Sequence, residues 1–413
     1  MKICLIECCE EQDKGSIGAY YVKTAIEKHG YTIDELRQPK KGYDIELISV
    51  HHCADIVRLA NMPKRAALRL VGGHPMQNNP RPAIPYCDAL FVGEAENTIA
   101  KSIDAIKQSG LDGLKDIDGW IIAKNWNGEI PDTVMCNPLP DNPPYLNRPD
   151  TRSAAWYIEI ARGCPFRCAY CELGHSSKYR FYGLDHIKKI VDSCDLGKTR
   201  KVNFFAPDEA SYPHFNELIS YVYDKGFLAS FSSMRLESVM RNKPKVKANT
   251  LIRIGLDGLT EKTRFRVGKK ITNKMVIDYF GYLLNSGHVN FKIFMIFGYE
   301  WEQLSDFAEF EMLMRKLNLL PKKKNVSIRI KWTPFIPQPC TPLGNTEPKY
   351  DYEMVDKINV WHALNARPRR EPGFFIENDG LMSKKSHDRQ IALTTGDVNT
   401  VNRLGLLKIK DYA

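Results

Sequence analysis

Two hydrophobic periods alternate along this chain. Residues 2–8 (KICLIEC) form a short apolar run of the buried-strand type, followed by Gly15 and Gly18 and then a helical pattern over 19–28 that stops at Gly30. Further apolar runs occupy 45–50, 67–71 and 89–92, with helical stretches at 54–59 and 98–108. The third run ends in Gly72-Gly73-His74-Pro75 and the fourth in Gly93-Glu94-Ala95-Glu96. Strands alternating with helices predict a parallel, doubly wound sheet whose ligand crevice lies at the strands' carboxyl ends. Gly72, Gly73, His74, Gly93 and Glu94 fall there. A glycine doublet lets a backbone approach a bulky ligand, but it also serves as an ordinary turn.

The pattern then breaks. Residues 137–150 (NPLPDNPPYLNRPD) have no apolar period and read as a linker. Beyond it, strands at 156–160, 201–205, 228–232, 251–256 and 290–296 alternate with helices at 184–194, 215–225 and 273–286. Repeated βα units of this length predict a parallel barrel, with its active site at the carboxyl ends of the strands.

At 413 residues the chain is long enough for two or three domains. Lys and Arg total 59 against 49 acidic residues, a formal charge of +10, which suits a nucleic acid, an anionic cofactor or an acidic substrate and selects none of them. No run approaches the roughly 18 apolar residues of a membrane span and no signal-peptide pattern opens the chain, so it reads as cytoplasmic. In a reducing compartment, 11 cysteines argue for ligands and buried thiols over disulfides.

Three of those cysteines carry the chemistry. Cys164, Cys168 and Cys171 form C-x3-C-x2-C directly after the strand at 156–160. Thiolates suit iron-sulfur clusters, and three ligands on one loop leave one iron of a cubane 4Fe-4S cluster open. His175 is close enough in sequence to complete a zinc site instead. The loop resembles the signature of the radical S-adenosylmethionine (radical SAM) superfamily, in which the open iron chelates SAM and the cluster cleaves it reductively. An external electron donor such as flavodoxin or ferredoxin is implied with it.

That resemblance implies a partial (β/α)6 barrel over 151–345 and nominates SAM contacts at the strand ends. Tyr170 would lie beside the adenine, and Asp208 and Glu209 would face the SAM amino group. Ser233 and Arg235 follow the third strand, with Arg235 able to pair with the SAM carboxylate. Asp257 would meet the ribose hydroxyls, while Met295, Ile296 and Phe297 would flank the adenine. The stretch 253–306 matches the family in order.

The series LRLVGGHPMQNNP and YCDALFVGEAE resembles the cobalamin-binding domain that precedes the barrel in one radical SAM class. The expected architecture is thus a Rossmann-like domain over 1–136, the linker, the barrel and a small C-terminal extension over 346–413. The Asp-x-His-x-x-Gly motif that supplies a cobalt ligand elsewhere is missing, because 7–18 contain no histidine. By resemblance the chain is a methyltransferase that uses SAM and cobalamin on an unactivated carbon. Alternatives are a cobalamin-independent radical modification, with nucleic acid among its candidate substrates, and a methylthiotransferase with a second cluster on Cys8 or Cys9, Cys53 and Cys87. The non-enzymatic alternative is a metal-containing nucleic-acid-binding module. Arg367, Arg369 and Arg370 form a basic cluster able to grip phosphate or simply to stay solvated.

Overall fold

The computed structural model describes residues 1–9, 16–149, 151–232, 234–243, 245–248, 250–366 and 372–407. Ser233 and the arginines at 367, 369 and 370 lie outside the described residues. The chain forms two compact units, Met1–Ala154 with Gln338–Cys340 and Asp388–Ala413, and Ala155–Pro337 with Thr341–His387.

The first unit is a six-stranded sheet of β1 (Ile3–Cys8), β2 (Ile33–Leu36), β3 (Ile45–Val50), β4 (Leu68–Gly72), β5 (Ala89–Phe91) and β6 (Trp120–Ile122), in the order β2-β1-β3-β4-β5-β6. Strands β1 to β5 are parallel and β6 closes the edge antiparallel. The Val/Ile/Leu runs of β1, β3, β4 and β5 are buried on both faces, as a sheet sandwiched by helices requires, whereas the edge strands are half exposed. The order reverses between β1 and β3, which makes their carboxyl ends the switch point where such sheets bind ligands. Helix α1 (Ile17–Lys28) starts where the Ser16 side chain accepts from Ala19 N. The C-terminal segment returns to this unit: Leu393 and Val401 are fully buried in its core, and Asn79 Nδ2 donates to the carbonyls of Thr394 (3.0 Å) and Gly396 (2.8 Å).

The second unit carries seven parallel strands: β7 (Ala155–Glu159), β8 (Lys201–Phe205), β9 (Leu228–Ser230), β10 (Ile252–Gly255), β11 (Asn290–Phe297), β12 (Val326–Pro334) and β13 (Phe374–Leu381). A single bridge, Met234 to Ile254, joins β7-β8-β9 to β10-β11-β12-β13. Six βα strands in sequence order make the partial barrel, and β13 extends its edge. Along β11 and β12 every second residue is buried. That face meets the helices: Phe291 packs on Phe280 of the helix Asn273–Asn285 at 4.8 Å, and Trp332 packs on Phe310 of the helix Phe307–Asn318 at 5.2 Å. The alternate residues face the inside of the barrel. Among the described residues no helix is long and apolar enough to cross a membrane.

Candidate active site

Gly163 turns the chain out of the strand into the cysteine loop at φ +68°, and a Cβ there would sit 2.2 Å from the Lys178 carbonyl oxygen, so only glycine fits. The loop is anchored from two sides, with Ala169 N donating to Val267 O (3.0 Å) and Leu343 N to Ala169 O (3.0 Å). Burial pushes the Cys164 thiol up to about 11 and the Cys171 thiol up to about 12. The thiols thus keep their protons at neutral pH, and a metal that takes them as thiolates must displace those protons. His175, the candidate fourth zinc ligand, turns its Nε2 to Cys168 O (3.1 Å) and its Nδ1 to Arg167 Nη2 (3.4 Å). Both ring nitrogens are engaged away from the thiols.

Arg235 reaches this loop from the N-terminus of the helix Leu236–Asn242. Its Nη1 lies 2.6 Å from Cys168 Sγ, its Nη2 donates to Glu237 (2.7 Å) and to Gly268 O (2.9 Å), and the guanidinium stacks 4.0 Å from the Phe166 ring. Arg235 Nε and Glu237 Oε2 are buried without a hydrogen-bond partner. Asp208 sets that position by accepting from Arg235 N (2.9 Å) and from Ser238 Oγ (2.5 Å). Glu209 Oε1 accepts from Ser232 N (2.8 Å), and burial pushes its carboxyl up to about 7. Both acids, which the family resemblance nominated for the SAM amino group, hold the turns beneath the site.

A second cluster forms at the next strand ends. Asp257, at φ +53°, accepts from Tyr170 Oη (2.6 Å) and pairs with Lys269, whose Nζ also donates to Gly255 O (2.8 Å). Tyr299 Oη donates to Asp257 O (3.1 Å), and Ile296, Tyr299, Val267 and Phe335 pack around Tyr170. Met295 and Phe297, expected beside the adenine, instead belong to the buried face turned to the helices. The period of two explains the difference: of three consecutive residues only the middle one, Ile296, shares the Tyr170 side. Lys269, Glu237 and Phe166 escaped the sequence analysis because single charges or rings within loops have no period. The only available signal for Lys269 was its place in the run RVGKK.

In the first unit, Gly73 has φ +123°, and an added Cβ would meet Val50 O at 2.0 Å; at Gly93 it would meet Val134 O at 2.3 Å. Chain packing thus requires both glycines, whereas a Cβ at Gly72 would meet nothing within 4 Å. His74 is exposed, and Glu94 accepts from Cys136 N (2.8 Å). At the switch point, Glu7 Oε2 and His51 Nε2 lie 3.1 Å apart and answer each other, on side chains about a quarter exposed. This polar pair beside an open Gly72 fits a polar group bound at the strand ends. Among the described residues, Cys9 shares a potential metal-ligating group with Glu7 and His51, and Cys53 and Cys87 are not part of it. The Cys87 thiol donates to Ile84 O (3.4 Å).

Residues 158–310 match the profile of the Radical SAM superfamily. An uncharacterized protein of Methanocaldococcus jannaschii is 24% identical over 84% of this chain and 74% of its own length. Hopanoid C-3 methylase of Methylococcus capsulatus is 20% identical over 85% of this chain and 70% of its own. In fold, the chain is similar over its whole length to the radical SAM methyltransferase TsrM of Kitasatospora setae, solved with cobalamin and a [4Fe-4S] cluster (TM-score 0.61, 12% identity, 92% of that chain). It is similar to the same extent to the cobalamin-dependent SAM radical enzyme OxsB (TM-score 0.61, 14% identity, 62% of that chain). The match to the Radical SAM superfamily thus spans the cysteine loop and five of the barrel strands, on a fold similar to that of TsrM along 92% of that chain and to 62% of OxsB.

Proposed function

We propose that the enzyme methylates an unactivated carbon with the aid of cobalamin. The observation that carries this reading is the union, in one chain, of a three-cysteine loop backed by a buried arginine and a doubly wound unit with the Glu7–His51 pair and an open Gly72 at its switch point. The likeness in fold to TsrM and OxsB and the hopanoid methylase relative support it. When bound, the 4Fe-4S cluster with SAM supplies reductive cleavage of the sulfonium, and cobalamin supplies a transferable methyl group. Cys164, Cys168 and Cys171 hold the cluster, and three thiolates leave one of four irons without a protein ligand. Arg235 sets a positive charge against the Cys168 sulfur. Tyr170, Asp257 and Lys269 form a polar floor for the SAM ribose, with Ile296 and Tyr299 beside the adenine. Gly72, Glu7 and His51 face the cobalamin. An external one-electron reductant completes the cycle.

Anaerobic reconstitution tests the reading. The wild type should retain cobalamin, cleave SAM and yield a product heavier than its substrate by one methylene. The Cys164/Cys168/Cys171→Ala variant should lose iron and SAM cleavage while keeping the cobalamin spectrum. Wild-type protein that retains no cobalamin would turn the reading to a cobalamin-independent radical reaction.

A further inference from the structure

The inner face of the barrel carries a row of cations that the machinery above does not use. Arg253 on β10 stands in register with Lys292 on β11, and Lys292 with Arg329 on β12. All three are on the face opposite the helices and only partly exposed. Lys331 lies two residues further along β12 on the same face. Like charges directly opposite one another on adjacent strands repel, and a sheet tolerates such a row only if something else neutralises it. Asp379 answers Lys292 at 2.5 Å. Among the described residues, neither Arg253 nor Arg329 forms an ion pair, though Glu377 on β13 stands in register with Arg329; Arg253 Nη1 donates to the Phe231 carbonyl just beyond the adjacent strand β9. Burial, and then the neighbouring Arg329, pull the Arg253 pKa down, as two guanidiniums in one enclosed space must. Tyr157 on β7 and Glu209, itself held near neutrality by burial, are the groups that look at Arg253 from the other half of the barrel. Fixed positive charge is thus concentrated inside the barrel, below the strand ends where SAM would lie.

We propose that Arg253 and Arg329 form a receptor for an oxyanion, so that the substrate carries a phosphate or carboxylate that anchors it inside the barrel. This deepens the proposed function and rests on it for the word substrate; the anion site itself does not. A planar guanidinium pair matches either group through parallel N–H···O contacts, and Lys331 adds a third charge along the path toward the cluster. Anchoring one end of the substrate by charge would fix which carbon meets the reacting centre.

The test is calorimetric titration of the full, cluster-loaded protein with inorganic pyrophosphate and, separately, with succinate. One of the two should bind saturably and thereby identify the group. Arg253→Gln and Arg329→Gln should each weaken that binding at least about tenfold, the loss of one charge-assisted contact. In anion-free buffer the same variants should unfold at a higher temperature than wild type, by roughly 1–4 °C, because the repulsion is relieved. A purely structural arginine would shift it the other way. Binding of neither anion at millimolar concentration, variants that bind like wild type, or variants that unfold earlier would each overturn the proposal. Substrate-free SAM cleavage, read in the same samples, reports on the radical reading separately: its loss with anion binding intact would count against that reading alone.

Discussion

At Arg235 one guanidinium meets a thiol sulfur, a carboxylate, a carbonyl and an aromatic ring. A cation this close to a cluster sulfur stabilises added negative charge, so it should ease reduction. Arg235→Gln should therefore make the cluster's reduction potential more negative, measured by redox titration followed by paramagnetic resonance, with iron content unchanged. Lys269 belongs to a different balance. It and Asp257 are 7% and 11% exposed as side chains, and removing one partner strands the other. Lys269→Met should cost about 3–5 kcal/mol and raise the KM for SAM, while adding Asp257→Asn should restore much of the stability. Glu209 has the opposite sign from most carboxylates. Its folded value, about 7, lies above the ordinary 4.5, so the fold holds a proton that the unfolded chain releases in that window. Stability falls as pH rises through it, by roughly 3 kcal/mol in all. Denaturant midpoints at about pH 5 and about pH 8 should thus diverge between wild type and Glu209→Gln, with wild type losing more.

Elements decide which side chains the strand ends present. Gly72 and Gly73 look equivalent in the sequence, yet only Gly73 has its missing Cβ pressed against Val50 O. Gly73→Ala should destabilise the first unit by at least roughly 1–3 kcal/mol, from strain and clash together. Gly72→Val should leave stability nearly unchanged and reduce cobalamin retention, read from the visible spectrum beside an intact iron-sulfur absorbance. The long apolar strands, β1, β3, β4, β11 and the start of the barrel, were legible because buried parallel strands repeat few polar residues. Strands β2 and β6 were not. They are short edge strands, four and three residues long, whose pairing rather than composition makes them strands. Of the site, the cysteine loop and Tyr170 and Asp257 were legible from strand-end position. The Met295–Phe297 run was not resolved, since a one-residue change of register reverses every side chain.

At the scale of the whole molecule, the C-terminal segment is assigned by packing and not by proximity in sequence. From Asp388 onward the chain belongs to the first unit, where Leu393 and Val401 are fully buried. Deleting 388–413 should expose both and cost about 3–6 kcal/mol in that unit, at about 1.5–3 kcal/mol for each buried side chain. Leu393→Ala alone should cost about 2–5 kcal/mol. Thermal unfolding monitored in the first unit, with the iron-sulfur absorbance as the report on the barrel, would separate the two losses.

The sequence by itself determined the two α/β halves, the spacing of three cysteines on one loop and the absence of a histidine after β1, because hydrophobic period, ligand spacing and residue identity are local properties. Tertiary structure alone decided that Asp208 and Glu209 support Arg235 and Ser232, that Lys269 completes Asp257, and that Arg253, Lys292 and Arg329 stand in one row. Most of these partners are separated by more than twenty positions along the chain, and Asp257 and Lys269 by 12. Only the register of parallel strands brings their charges to the same level, and no local pattern encodes a register.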